Sequence, residues 1–299
     1  MQGMEGKNRL NRNPIGFNIM AYGIVGFMAL MGVLPFWLLV MGSVTDQGYI
    51  IREGFSLWPS QFSLDAYRMA FQVPHIILRS YAVSIFITAT GTLGTIVFCS
   101  MAGYSLSRSD FYYRNYFAFF FYFPALFSGG LIPFFIWMNT IGMVDNILVL
   151  ILPGMMTFWF IVILRSFFKG LPEEIGESGK IDGANEVTIC FKLYMPMAVP
   201  ALATVGLFSA LGYWNAWMNA MLFIRDPRLF PLQFQLHRIL NNARVAAQAA
   251  QEAGIPSAEV PTFAFQLAMV CIAIGPMFML FPYIQRYFIK GLTIGAVKG

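Results

Sequence analysis

Six stretches of this chain contain no Asp, Glu, Lys or Arg: Phe17–Thr45, Ser80–Ser107, Asn115–Val144, Asn146–Leu164, Leu193–Ile224 and Val260–Gln285. A helix advances about 1.5 Å per residue, so about 20 apolar residues cross the hydrocarbon core of a bilayer. Each stretch is that long or nearly so. Water is absent from that core, so backbone N–H and C=O groups must pair internally, and a helix does this within one segment. Charged residues make up 11% of the chain, well under the roughly 25% of a soluble domain. The expected fold is an all-α polytopic membrane protein with six transmembrane helices and one domain over residues 1–299. The first apolar stretch is too long for a removable signal peptide and lacks a small-residue cleavage site.

Positive charge sets the orientation. With both termini inside, Lys7, Arg9, Arg12, Arg108, Arg114, Arg165, Lys169, Lys180, Lys192, Arg286, Lys290 and Lys298 are cytoplasmic, and Arg52, Arg68, Arg79, Arg225, Arg228, Arg238 and Arg244 are outside, a split of 12 to 7. An N-in/C-in topology follows, with a cytoplasmic N-terminal tail at 1–16, a long cytoplasmic loop at 168–196, an extracytoplasmic loop at 225–261 and a cytoplasmic C-terminal tail at 289–299. The net charge of +5 reflects this bias. No basic stripe with interleaved aromatics points to nucleic acid. Cys99, Cys190 and Cys271 fall in or beside apolar segments and read as small hydrophobes.

Local breaks are also legible. Pro124, Gly129-Gly130 and Pro133 must bend or unwind the third stretch, and such breaks survive in lipid where protein or water satisfies the freed backbone. In the first outer loop, "FSLDAYRMAF" predicts a short helix, and in the last, "ARVAAQAAQEA" predicts a longer one.

The cytoplasmic loop contains "GESGKIDGAN", residues 176–185, whose Gly179-Lys180 has the look of a phosphate-binding loop. The spacing fails: Glu174 stands where the first glycine belongs, and Ile181 where the magnesium-binding hydroxyl belongs. The residues fit a different design. Pro172 suits the first position of a helix, and Glu173 and Glu174 complement its dipole. The helix is expected to run through Glu177 to about Ile181, with a turn at Asp182-Gly183. Asn185 caps a second helix, on which Val187, Cys190, Phe191 and Tyr194 share a face. Gly176, Ser178 and Gly179 leave the first helix nearly bare on one side, so that a partner backbone could approach. A docking element is the expectation.

At these residues the chain closely resembles a known family. "LPEEIGESGKIDGANEVTICFKLYMPMAVPALATVGLF" resembles the Glu-Ala-Ala loop of the permease subunits of bacterial ABC importers. Glu177-Ser178-Gly179 stands at the Glu-Ala-Ala position, Gly183 at its glycine, and Leu193 and Pro196 at its closing segment, with Met195 in place of the usual leucine. "YWNAWMNAMLFIRDPRLFPLQ" and "FSGGLIPFF" look like the carbohydrate-uptake branch and its polysaccharide-fragment members, and "RYFIKGLTIGAVKG" is similar to the tail of maltose-type permeases. The resemblance implies the type I importer fold, and a coupling role for Glu173, Glu174, Glu177, Ser178, Gly179, Asp182, Gly183 and Ala184. The implied partners are a second permease (a heterodimer), two ATPase subunits and an extracytoplasmic solute-binding protein. The implied setting is the bacterial cytoplasmic membrane. No cofactor is expected on this chain, since ATP and Mg belong to the ATPase subunits. The implied cargo is an oligosaccharide cut from a polysaccharide, with uronates among the candidates. The resemblance also implies that an extended C-terminal tail reaches the ATPases.

For a sugar path the residues themselves offer Tyr213, Trp214, Asn215, Trp217 and Asn219. Rings stack on the apolar faces of pyranoses and amides bond hydroxyls. Asn215 and Asn219, four apart, are expected on one helix face. The competing reading of these amides is helix–helix glue, and of the tryptophans an interfacial belt. A secondary transporter or channel for a small polar solute is the alternative function. Ion-driven carriers keep ionisable residues at mid-membrane, and the six stretches contain none. A membrane enzyme needs a metal motif or a nucleophile–base pair, and His75 and His237 stand alone.

Overall fold

The computed structural model describes residues 15–72, 74–253 and 263–296 of the chain. The N-terminal tail to residue 14, residue 73, positions 254–262 at the end of the loop expected at 225–261, and the final three residues of the C-terminal tail lie outside the described residues. The described residues are helical, with one isolated bridge between Thr45 and Phe62. They form two compact units, one containing residues up to Gln72 and Arg244–Cys271, the other Val73–Ala243 and the residues from Ile272 onward.

The first unit is led by α1 (Ile15–Ser43), an apolar helix whose side chains point outward along its length: Ile19 is 68% exposed and Leu30 65%. Such a surface in water would cost free energy; in hydrocarbon it costs nothing. Two short helices follow. In α2 (Gln47–Glu53), Asp46 accepts from the Tyr49 N–H at 3.0 Å, an N-cap that ends the span in polar chemistry. The helix expected in "FSLDAYRMAF" is α3 (Asp65–Ala70). Ile50 and Ala66 pack with Ala264 and Ala268.

The second unit is organised by α4 (Pro74–Ser107), 34 residues beginning on a proline. At about 1.5 Å per residue it spans about 50 Å, more than the roughly 30 Å hydrocarbon core. The third charge-free stretch is broken where its prolines and glycines predict. α5 (Arg114–Leu126) and α6 (Leu131–Thr140) meet at 116°, around Gly130 at φ 85°. They form a sharply bent pair, a broken span or a re-entrant loop, and not the single straight helix that crosses a bilayer most simply. The fourth stretch bends by 44° between α7 (Leu148–Ile151), with its 3-10 turn to Gly154, and α8 (Phe158–Lys169).

The loop at 168–196 contains α9 (Glu174–Ile181) and α10 (Glu186–Thr188), the latter continuing as a π-helical turn (Ile189–Tyr194) into α11 (Met195–Met197). At Ala198 the chain turns 89° into α12 (Val199–Trp214). Pro196 and Pro200 flank that corner, where the missing N–H groups cost nothing. α13 (Met218–Phe223) and α14 (Leu232–Glu252) follow, and α15 (Phe263–Ala296) completes the order. By length and apolarity two helices cross a bilayer, and five if each bent pair counts as one crossing; α15 contributes a shorter apolar segment, Phe263–Met279. The family resemblance implies an extended C-terminal tail. Through Ala296 it is helical instead. A glycine costs a helix only about 1 kcal/mol relative to alanine, and Gly291 and Gly295 leave the intrahelical ladder intact.

Packing in this second unit depends on bare backbone. α4 packs along α8 and α12. A Cβ at Gly103 would meet the Arg165 nitrogen at 3.0 Å and Ile161 oxygen at 3.2 Å, so only glycine allows α4 this close to α8. Replacing Gly103 with leucine is expected to cost about 1–3 kcal/mol through overpacking. A lowered melting temperature and loss of the monodisperse peak in fluorescence-detected size exclusion would register it; unchanged behaviour would show that α4 and α8 can separate freely.

Candidate functional site

The spacing of polar and small residues on α9 sorts it into two faces. Glu174, Glu177, Ser178 and Ile181 recur at three and four residues and all are exposed; Gly176 and Gly179 lie on the other side and are buried. The sequence reading put Gly176, Ser178 and Gly179 together as a surface for a partner. That requires correction. The two glycines face this chain's own core, and Ser178 faces away with its hydroxyl donating to Ile175 O at 3.0 Å.

The seat under α9 is tight. A Cβ at Gly176 would lie 2.6 Å from Arg108 Nη1 and 3.2 Å from the Tyr194 hydroxyl, and one at Gly179 would lie 2.9 Å from Leu193 Cδ1. Beneath it, Tyr104, Phe168 and Tyr194 meet edge-on, with centroids 4.9 to 6.3 Å apart, joining the ends of α4 and α8 to the π-helical turn. These aromatics and Ile189 belong to one buried cluster, onto which Ile175 and Ala184 also pack. Ala184 thus serves the chain's interior.

The end of α9 is closed by its own backbone. Ala184 N–H donates to Gly179 O at 2.9 Å and Gly183 N–H to Lys180 O at 3.0 Å, the paired bonds of a Schellman cap. That cap needs a left-handed residue, and Gly183 supplies it at φ 77°. Asp182, expected in the turn, is the exposed cap residue. The expected cap of the second helix is present as well: Asn185 Oδ1 accepts from the Thr188 N–H at 2.8 Å. On its face Val187 is exposed while Cys190 and Tyr194 are buried.

An ion network ties α9 to α4. Lys180 Nζ lies 2.7 Å from Asp110 Oδ2 and 2.9 Å from Glu186 Oε1, Arg108 Nη2 lies 3.2 Å from Asp110, and the Tyr104 hydroxyl donates to Glu186 at 2.6 Å. Ser109 Oγ approaches Glu173 Oε1 at 3.4 Å. Hydrogen bonds from Lys180 and Arg108 draw the Asp110 carboxyl down to about 2, and Asp110 and Glu186 hold the Lys180 ammonium above its ordinary range. The Lys180 pairs are about half exposed, and such pairs contribute about 0–1 kcal/mol each. Their effect is on orientation more than on stability. The sequence placed Tyr194 on the apolar face of the second helix, but no local pattern joined it to Tyr104, Arg108 and Asp110, which lie far from α9 along the chain. Ile181, at 86% exposure the most exposed large apolar residue of the described set, was legible from spacing alone, three residues beyond Ser178 on the acidic face.

The candidate sugar-path residues divide. Tyr213 is buried in the slot left by Gly91 and Gly154, its hydroxyl donating to Ile151 O at 2.8 Å, and buried Trp214 donates from Nε1 to Ala273 O at 3.1 Å. Both are occupied by packing. Asn215 ends α12 and bonds back to Leu211 O at 2.9 Å, so the helix breaks before α13 begins at Met218. Asn215 and Asn219 therefore do not share one helix face. Exposed Asn215 lies 3.5 Å from Gln233 Nε2, half-buried Trp217 stacks on His237 at 4.5 Å, and Asn219 is half-buried.

The family described as "Binding-protein-dependent transport system inner membrane component" matches residues 95–294. The polygalacturonan/rhamnogalacturonan transport system permease protein YtcP of Bacillus subtilis is 37% identical over 98% of this chain and 100% of its own length. Protein LplC of the same organism is 35% identical over 94% of each. A solved structure, a bacterial ABC transporter involved in the import of the acidic polysaccharide alginate, superposes with a TM-score of 0.78 at 27% identity, over 91% of this chain and 96% of that one. The match runs through α4, the α9 seat and α12, the elements that build the site. The chain belongs to the inner-membrane components of binding-protein-dependent transport systems: it is a non-catalytic ABC permease subunit, and ATP hydrolysis falls to separate subunits.

Proposed function

We propose that this chain is one of two permease subunits of an ATP-driven importer that moves an oligosaccharide from an extracytoplasmic solute-binding protein into the cytoplasm. It crosses the membrane six times with both ends inside, and pairs with a second permease and two ATPase subunits. The exposed stripe of α9 carries this reading. Glu173, Glu174, Glu177, Ser178, Ile181 and Asp182 face outward while the glycines behind them fix the helix to α4 and the π-helical turn. Movement of the ATPases against that stripe reaches the spans through a rigid seat. The names of YtcP and the alginate transporter support an oligosaccharide from an acidic polysaccharide as the substrate class. The outer loop at 225–261 serves the binding protein. Its α14 is seated through Leu232, Phe234 and Leu236, while Arg244 to Ala246 stand exposed.

Glu177→Lys and Ile181→Asp should uncouple the importer: sugar uptake in proteoliposomes falls by at least about tenfold, with insertion and folded yield unchanged, since both side chains already face water. Normal uptake with normal stimulation of ATP hydrolysis would remove the stripe from the mechanism. Gly183→Pro should do more, because proline cannot adopt φ 77° and would open the cap.

The ion network predicts a flat pH profile. The Asp110 carboxyl lies below its unfolded value, so its contribution is fully present above the ordinary carboxylate range and is lost only as pH falls towards about 2. Lys180 lies above its unfolded value, so its contribution persists until strongly alkaline pH. Binding-protein-stimulated ATPase activity of wild type and Lys180→Met should therefore keep a constant ratio between about pH 5 and pH 8. A ratio that changes across that window would place a titrating group elsewhere in the coupling path.

A further inference from the structure

At the other end of α4 from the coupling network is a cavity of about 360 Å³ lined by arginines. Arg79, Arg228 and Arg238 converge on it with His75 and the Gln235 amide, and Ile76 and Pro227 supply apolar wall. Arg79 and Arg108 are 29 residues apart on one helix and its end, about 44 Å at the helical rise. The cavity therefore lies across the bilayer from α9. All its residues belong to the second unit.

The charge is unbalanced. Arg228 Nε lies 2.8 Å from Asp226 Oδ2, and among the described residues no carboxylate pairs with Arg79 or Arg238. Three guanidiniums against one carboxylate leave two positive charges. The other two guanidiniums are held in place without being neutralised: Arg79 Nε donates to Arg228 O at 3.1 Å, and Arg238 lies over the Phe230 ring at 4.6 Å. A backbone bond and a ring face fix each cation while leaving donors free, because guanidinium has five N–H groups. Preorganised, partly unspent guanidiniums are what bidentate carboxylate recognition uses. The volume falls in the range of small-ligand sites, about 300–1,000 Å³, larger than one acidic side chain requires. An amide and apolar walls suit the hydroxyls and ring of a sugar.

We propose that this cavity binds the carboxylate of a uronic acid residue on the extracytoplasmic side, through Arg79 and Arg238, with Gln235 on the sugar hydroxyls. It rests on the oligosaccharide-importer reading and adds a residue-level basis for selecting acidic sugars within the permease itself. Asp226 keeps Arg228 paired, which leaves the guanidiniums of Arg79 and Arg238 to grip the carboxylate.

The test is equilibrium binding of a galacturonate trimer, and of its methyl ester, to the complete permease–ATPase complex in nanodiscs without binding protein. The wild-type complex should bind the acid at least about tenfold more tightly than the ester, the worth of one charge-assisted hydrogen bond. Raising the salt concentration should narrow the difference, because the cations are exposed. Arg238→Gln, which breaks no backbone contact, should bring the ratio of acid to ester affinity towards one, and Arg238→Lys should restore part of it. Arg79→Gln should act likewise. Equal binding of acid and ester by the wild type, or a ratio unaffected by Arg238→Gln, would overturn the assignment. Weaker engagement of the binding protein by Arg238→Gln, with acid and ester bound equally, would give the cavity to a protein carboxylate and equally overturn it. Sugar uptake by the complete system, measured in parallel, separates the two levels. Failure of all sugar uptake contradicts the proposed function, whereas uptake without acid preference contradicts only the present inference.

Discussion

The structure depends on the approach of α9 to the core beneath it. Gly176 and Gly179 present bare backbone to Arg108, Tyr194, Ile189 and Leu193, and a side chain at either position would collide with them. Because the helix is seated this closely, its outward stripe is held in a fixed orientation to α4, α8 and the π-helical turn. The same device recurs deeper in the second unit, where Gly103 admits α8 and Gly91 and Gly154 admit Tyr213. In hydrocarbon there is no hydrophobic drive between helices, so close packing across small residues and satisfied polar groups must do the holding.

The six stretches contain no Asp, Glu, Lys or Arg, which fits a subunit whose driving force comes from ATPases elsewhere. Charge is gathered instead at the two ends of α4: Arg108, Asp110, Lys180 and Glu186 at one, and Arg79, Arg228, Asp226 and Arg238 at the other. The first group is close to balanced and orients a helix. The second carries excess positive charge around a cavity. A 34-residue helix connects them.

Much of this was legible in the sequence, for physical reasons. Charge-free runs report a bilayer directly, and Gly183, Asn185 and the Gly129–Pro133 break act within a few residues of themselves, so their turns, caps and bends could be read locally. Three-dimensional partners could not. Grouping Gly176 with Ser178 failed because two residues apart on a helix is about 200° around its axis, putting them on nearly opposite faces. The i,i+4 relation of Asn215 and Asn219 failed because Asn215 bonds its own helix and ends it. Tyr213 and Trp214 resembled sugar platforms by residue type, but type does not distinguish an aromatic that faces a ligand from one that fills a glycine slot. The arginine cavity brings together residues from 75 to 238, a separation no local pattern bridges.

The central claim is that the exposed stripe of α9 meets an ATPase subunit while its glycine face stays inside this chain. Photo-crosslinking tests it most directly, with a benzoylphenylalanine placed at Ile181 in the assembled importer in native membranes and a control at exposed Val187 on the following helix. The account predicts an adduct from position 181 to the ATPase polypeptide, in high yield and sensitive to the nucleotide state. Adducts from 181 confined to lipid or to this chain, in a complex that still imports sugar, would contradict it.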